Sequence, residues 1–297
     1  MQVLIIGSKG FIGSHAYHYF KNNAAYKSWA CDVVADYVDD HYFVLDSSNS
    51  DFNELFENIV FDVCINCSGA ASVADSLVHP LRDFTLNVLS VVKILDAIRK
   101  HAPSCKFINL SSAAVYGNPE KLPITVNAAS QPVSPYGFHK LYSEQVCLEY
   151  HRFFKLNTLS LRIFSAYGPG LKKQLFWDWY QKAKGSEIVS IYGTGNESRD
   201  FIYIDDLVQV LDLAILHGDF IGSVVNVANG EEVYIKDAAG IFLGGLGKSF
   251  SFEGQLKPGD PINWVAEINE IISWGYINKV HLKEGLTNYI EWVKEEK

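Results

Sequence analysis

Seven residues near the amino terminus, Gly7-Ser8-Lys9-Gly10-Phe11-Ile12-Gly13, constrain the fold more than any other stretch. The strand candidate Gln2 to Ile6 runs straight into them, and Ser14 to Asn22 carries a helical pattern straight after. The Gly-x-x-Gly-x-x-Gly spacing therefore falls at a strand-to-helix turn, the context that separates a dinucleotide loop from an ordinary glycine-rich one. Glycines at Gly7, Gly10 and Gly13 let the backbone turn tightly and approach a pyrophosphate. That anion would lie on the free N–H groups where Phe11 and Ile12 open the helix.

The alternation continues along the chain. Trp29 to Val34 reads as a second strand, with Asp32 near its end, 19 residues after Gly13. An acidic residue at about that distance is suited to the ribose 2'-hydroxyl of NAD. No Lys or Arg occurs between Ser28 and Leu81, so the region offers no cation to the 2'-phosphate of NADP. Lys9, inside the loop, is the counter-signal; Asp32 would repel that phosphate, and NAD is favoured over NADP. Further strands are expected at Tyr42 to Leu45, Val60 to Asn66 and Cys105 to Leu110. Their ends bring Asp46 and Ser47 toward an adenine, and Cys67, Ser68 and Gly69 toward the second ribose and the phosphates, because ligands lie at the carboxyl ends of parallel strands. Leu81 to His101 reads as one long helix.

The expected fold is α/β: a Rossmann-type doubly wound parallel sheet over residues 1–170, with a smaller mixed lobe over 171–297. After a sixth strand, Thr158 to Phe164, the regular alternation lapses; Val224 to Val227 and its neighbours read as part of that lobe. The boundary near Gly170 is soft, and the chain is free to cross back.

Composition narrows the function. A net charge of -9 with no basic run argues against nucleic acid or an anionic membrane as a partner. No segment approaches the length needed to span a bilayer. The five cysteines, odd in number and set in apolar runs, read as reduced core residues of a cytoplasmic protein. Cys64 and Cys67 have C-x-x-C spacing but no second ligand pair, so no metal site is assigned.

The stretch from Asn109 to Lys140 carries the chemistry. Ser111-Ser112 ends an apolar run, and Tyr136 and Lys140 lie four apart at the opening of a helix. Residues at i and i+4 share a helix face, so the ammonium can sit beside the phenol and favour its ionised form. That makes Tyr136 a candidate base near neutral pH. The spacing alone decides nothing, since Tyr17/Lys21 and Tyr180/Lys184 repeat it. Only Tyr136 follows a nucleotide-binding half and a strand-end Ser112. The helix Tyr136 to Phe154 is apolar over more than one stripe, and one stripe suffices to pack on a sheet. The surplus points to a second subunit and hence a homodimer.

With these residues in view, the chain resembles the extended short-chain dehydrogenase/reductases, the family of NAD-dependent nucleotide-sugar epimerases and dehydratases, and within it the 4-epimerases. The likeness runs through Gly7–Gly13, Asp32, Asn87-Val88, Ser111–Gly117, Tyr136–Lys140, Arg162–Gly170 and Arg199–Asp206. It implies that Ser112 is the hydroxyl residue of catalysis, Tyr136 the acid/base, and Lys140 the residue that holds the nicotinamide ribose and lowers the tyrosine pKa. It also places Asn87 beside the cofactor and Arg199 on the substrate diphosphate. Lys257 stands where the family has an arginine in an Arg-x-Gly-Asp segment. Ser165 replaces a substrate-contacting Asn, and Gln174 is a further phosphate candidate.

Departures from the family pattern narrow the reaction. The 4,6-dehydratases follow the hydroxyl residue with Asp-Glu, the acid and base of elimination, and the related decarboxylases keep a Glu at the second position. Here those positions are Ala113 and Ala114. Redox chemistry at a sugar carbinol remains. The first reading is an NAD-dependent epimerase of a nucleotide-diphosphate sugar, acting at C4 through a 4-keto intermediate. The alternatives are an NAD(P)H-dependent ketosugar reductase and a non-catalytic dinucleotide-binding regulator.

Overall fold

The computed structural model describes residues 1–47, 50–255 and 261–296. Six strands, β1 (Gln2–Ile6), β2 (Lys27–Asp32), β3 (Tyr42–Val44), β4 (Val63–Asn66), β5 (Lys106–Ser112) and β6 (Asn157–Ile163), form a parallel sheet with a seventh, Ile221–Val227. Across the sheet the order is Ile221–Val227, β6, β5, β4, β1, β2, β3. The strand order reverses between β1 and β4, and at such a switch point a crevice opens beyond the carboxyl ends.

Alternation along β1 shows how sequence becomes layers. Val3 and Ile5 pack with Ala16 and Phe20 of helix Phe11–Asn22 and with Leu207, Val208 and Leu211 of helix Ile204–His217. Leu4 and Ile6 face the other way, onto Val91, Ile94 and Ile98 of helix Ser90–His101. Because both faces are covered, β1 is apolar from Val3 to Ile6 rather than alternating with polar residues, while β5 and β6 carry the buried polar Asn109, Ser111, Thr158, Ser160 and Arg162.

Two expectations change. The long helix at 81–101 is interrupted: Pro80–Phe84 leads into a π-helical turn, Thr85–Leu89, before Ser90–His101. Val224 to Val227 does not belong to the lobe; it lies within the Ile221–Val227 strand, which pairs with β6 from Ile221↔Thr158 to Val227↔Ile163. A short stretch such as Val-Val-Asn-Val fits either place, and only the long-range partner decides.

Beyond the sheet, short strand pairs make the mixed region: Ser165–Tyr167 with Phe201–Tyr203, Ile188–Ile191 with Ser249–Phe252, and Ser198–Arg199 with Val233–Tyr234. A separate apolar cluster binds this region to the end of β5. It joins Ala113, Val115 and Tyr116 to Ile124, Phe164, Trp264 and Ala266.

Candidate active site

The glycine loop folds as its spacing predicts. Gly7 has φ +80°, and a Cβ there would stand 2.6 Å from the Ser68 backbone nitrogen, so only glycine lets the loop close against the end of β4. Gly10 caps helix Phe11–Asn22 without a side-chain hydrogen bond. The N–H groups of its first turn, at Phe11, Ile12 and Gly13, have no intrahelical partner, so they are donors open to an anion. Asp32 ends β2 beside the loop: one carboxylate oxygen accepts from the Lys9 backbone N–H at 2.8 Å and the other from Val33 at 2.7 Å. The first of these oxygens, Oδ2, keeps a second lone pair, enough for a ribose hydroxyl, whereas Oδ1 also accepts from the Val34 N–H at 3.3 Å. The Lys9 ammonium turns away to Asp36 at 2.5 Å, over the Tyr42 ring.

Cys67, Ser68 and Gly69 follow β4, and the Cys67–Ser68 backbone lies against Gly7. Ser68 Oγ donates to Asn66 Oδ1 at 2.5 Å, and Gly69 sits at φ +113°. Asn87, on the π-helical turn, is buried; its Nδ2 donates to Asp83 at 3.1 Å, whereas its Oδ1 faces Gly69 with no hydrogen-bond partner. A buried amide oxygen left unpaired costs about 1–3 kcal/mol unless a ligand donates to it. The tight glycine turn, the uncapped helix start, Asp32 and this orphaned oxygen together fit a dinucleotide. Asp46 and Ser47 follow β3 at the surface.

The proton-transfer candidates meet at the end of β5. Ser112 is the last residue of that strand, and its Oγ accepts from the Ala114 N–H at 3.2 Å. Helix Pro135–Phe154 starts against this turn. Ser134 caps it by accepting from the Gly137 N–H, and Pro135 takes the first position, where a missing N–H costs nothing. Glycine at 137 is required, since a Cβ there would stand 2.6 Å from the Ala114 carbonyl oxygen. That close approach sets the Tyr136 phenol near enough to Ser112 for the hydroxyl to favour its ionised form. The Tyr136 backbone N–H donates to Ser76 Oγ at 3.1 Å. Ala113 is buried among apolar neighbours, so the space beside Ser112 that would hold an eliminating acid is filled by a methyl group.

The protonation states depart from the sequence expectation. Burial pushes the Tyr136 phenol up to about 12, the Ser112 hydroxyl opposes the rise, and the Asp83 charge adds to it. Lys140, also buried, is brought down to about 8 by desolvation, against the opposing pull of Asp83 and Glu144; Lys173 lowers it further. Its ammonium donates to the Leu110 carbonyl at 2.8 Å and lies 5.9 Å from the Tyr136 ring centroid. The i,i+4 geometry is present, but burial outweighs the neighbouring charge. In the chain alone Tyr136 is a phenol at neutral pH rather than a base.

The substrate candidates come from elements after β6. Ser165 opens a short strand, its N–H donating to the Asp200 carbonyl at 3.0 Å. Arg199 is half-buried, with Nη1 donating to the Ser198 carbonyl at 2.8 Å and the Ile262 carbonyl at 3.2 Å, and its guanidinium 5.8 Å from the Trp264 ring. The Trp264 indole N–H donates to the Gly117 carbonyl, which brings the Arg199 neighbourhood to the loop following Ser112. Gln174 begins helix Gln174–Gly185 in an exposed left-handed conformation, φ +67°. Lys257 lies outside the described residues. Sequence reasoning missed Asp83, His139 and Lys173. Asp83 stands four residues before Asn87, a spacing that could have flagged it.

The family model described as the NAD dependent epimerase/dehydratase family matches residues 3–228. A putative UDP-glucose 4-epimerase of Methanocaldococcus jannaschii is 26% identical over 308 residues, covering 98% of this chain and 98% of that protein. A dTDP-D-glucose 4,6-dehydratase of Dictyostelium discoideum is 27% identical over 80% of this chain and 60% of its own length. Among solved structures, the UDP-glucuronic acid 4-epimerase of Bacillus cereus in complex with UDP-glucuronic acid and NAD is similar throughout. It has a TM-score of 0.90 and 26% identity, and the match covers 100% of each chain.

Proposed function

The chain belongs to the NAD dependent epimerase/dehydratase family, and from that premise we propose that it inverts C4 of a nucleotide-diphosphate sugar through a transient 4-keto sugar. The observation that carries this choice is Ala113 and Ala114 beside an intact Ser112, Tyr136 and Lys140. Elimination and decarboxylation both lack their acid or base, while the groups for oxidising and re-reducing a carbinol are present. The 4-epimerases similar over the whole chain support the reading.

NAD is held at Gly7–Gly13, Asp32, Cys67–Gly69 and Asn87, with Asp46 and Ser47 toward its adenine. When bound, it supplies the hydride acceptor and donor for the sugar carbinol and, in its oxidised form, a positive charge. Tyr136 takes the C4 hydroxyl proton at its phenolic oxygen and returns it after the sugar has turned. Ser112 hydrogen-bonds both the phenol and the sugar oxygen, fixing their separation. Lys140, held by the Leu110 carbonyl, keeps a cation near the phenol and hydrogen-bonds the nicotinamide ribose. Because the free chain favours phenol and a weakly held ammonium, the reactive combination of phenolate and ammonium is a minor form until further positive charge arrives. Ser165, Gln174, Arg199 and Lys257 are assigned to the nucleotide sugar. The Lys9–Asp36 pair leaves no ammonium for a 2'-phosphate, in keeping with NAD.

Phe138, Tyr142 and Phe153 of helix Pro135–Phe154 are exposed, as are Leu77, Val78, Leu81 and Leu89 from the neighbouring helices. We assign this apolar face to a homodimer, which light scattering would register as twice the chain mass. Among the described residues no helix is long and apolar enough to cross a membrane. The five free cysteines favour the cytoplasm. The function is tested by mass spectrometry of the cofactor that co-purifies, followed by NMR of UDP-glucose and UDP-glucuronic acid incubated with the protein. Retained NAD and interconversion of C4 epimers without added cofactor are expected. A requirement for stoichiometric NAD(P)H would mark a reductase instead.

A further inference from the structure

Beside the Tyr136–Lys140 turn lies a second polar pair that the reaction as described does not use. Asp83, on Pro80–Phe84, has a side chain with 0% exposure. Its Oδ1 lies 2.5 Å from His139 Nδ1 and also accepts from Asn87 Nδ2 at 3.1 Å, while its Oδ2 has no partner. His139 is the residue before Lys140 and is itself buried. Phe84 meets its ring edge-on at 5.3 Å, and Tyr142 lies 6.3 Å away.

Such a pair is expensive as mere filler. Well-packed apolar residues of similar volume do as well or better for stability, and an unpaired carboxylate oxygen adds a desolvation cost. Its position supplies a different rationale. Asp83 reaches the cofactor side through Asn87 and the reacting helix through His139, and its charge acts on Tyr136 and Lys140 together.

We propose that Asp83 and His139 are positioning residues: the buried carboxylate–imidazole pair locks the Asn87-bearing turn against helix Pro135–Phe154 and sets the field in which Tyr136 and Lys140 exchange protons. This rests on the epimerase reading. The negative carboxylate holds protons on both groups, so removing it eases ionisation of the phenol and weakens the ammonium. The imidazole tempers the same charge through its hydrogen bond, so removing the imidazole acts in the opposite sense. The other groups facing the pair do not mimic this effect. Glu144 is neutralised by Arg162, and burial holds Cys67 as a thiol with its pKa near about 12. Arg82 is paired with Asp75 at 3.1 Å. Tyr142 lies on the same helix, and Lys173 acts on Lys140 from the loop before Gln174.

The test is the pH–rate profile of the full-length protein with its co-purified cofactor, on UDP-glucose and UDP-glucuronic acid. In Asp83→Asn both limbs should move toward acid by about one pH unit, the size expected for removing a nearby charge. In His139→Phe they should move toward alkali, and His139→Gln, which keeps a donor, should restore part of that displacement. Profiles lowered in height with unmoved midpoints, or both single variants moving the same way, would overturn the proposal. If Asp83→Asn fails to fold, the displacement in His139→Phe decides. A readout without turnover separates this idea from the epimerase reading: the titration of Tyr136 in 13C-tyrosine-labelled protein, assigned with Tyr136→Phe. Its midpoint should fall in Asp83→Asn even if neither sugar is turned over, and an unmoved midpoint would refute the pair's role.

Discussion

Ser111 and Ser112 are neighbours on one strand yet enter different polar clusters, because successive side chains leave opposite faces of a strand. Ser111 Oγ donates to Glu144 at 2.5 Å, and Glu144 clamps Arg162 through two bonds of 2.9 and 2.7 Å. The remaining guanidinium nitrogen donates to the Val126 carbonyl at 3.1 Å. In this buried cluster each charge is answered. Ser112 joins Tyr136, Lys140, Asp83, His139 and Asn87, where Asp83 Oδ2 and Asn87 Oδ1 lack partners. Both clusters draw on β5 and helix Pro135–Phe154, the first adding Arg162 from β6 and the second Asp83 and Asn87 from the turns before Ser90. A complete network fixes structure; an incomplete one keeps hydrogen-bonding capacity for something that arrives.

The contrast is most open to attack at Tyr136. Tyr136→Phe should lower turnover by about 10²–10⁴, the usual worth of a positioned acid/base, while the thermal midpoint stays unchanged. A large loss of stability instead would place Tyr136 in the structural class. The converse holds for Glu144→Gln or Arg162→Met, which should cost about 3–5 kcal/mol in urea unfolding by stranding a buried charge. Activity per folded molecule should survive; its loss would blur the two clusters into one.

Lys140 sharpens the comparison through pH. With its pKa lowered to about 8, its ammonium is present below that pH and lost as pH rises through it, so turnover should fall on the alkaline side. In Lys140→Arg the guanidinium keeps its proton, and that limb should vanish, at whatever overall rate the variant retains. A limb unchanged in Lys140→Arg would assign it to another group. The smallest effect is expected for Ser112→Ala, which removes the hydrogen bonds to the phenol and the sugar oxygen, about 2 kcal/mol together or roughly thirtyfold in rate.

What the sequence disclosed was local. The glycine loop declares itself because three glycines, a strand and a helix are contiguous, and the structure needs Gly7 for a backbone approach within that same turn. Ser112 and Tyr136 were legible as a strand end and a helix start. The Asp83–His139 pair was not, since its partners stand 56 residues apart and His139 looks like a spacer within the Tyr-to-Lys motif. The seventh strand was hidden for a similar reason: a short valine-rich stretch does not name its neighbour. The ionisation of Tyr136 was misjudged because spacing reveals a nearby charge but not the depth of burial, and burial is the larger influence.

The central claim is that C4 is oxidised and then reduced within one bound complex. UDP-glucuronic acid carrying deuterium at C4 tests it most directly, incubated with the purified protein without added cofactor and followed by NMR. The account predicts appearance of the C4 epimer with deuterium still on C4 and no isotope entering from solvent. Epimerisation with the label washed out, or no reaction at C4 with this sugar and the corresponding UDP-glucose, would contradict it.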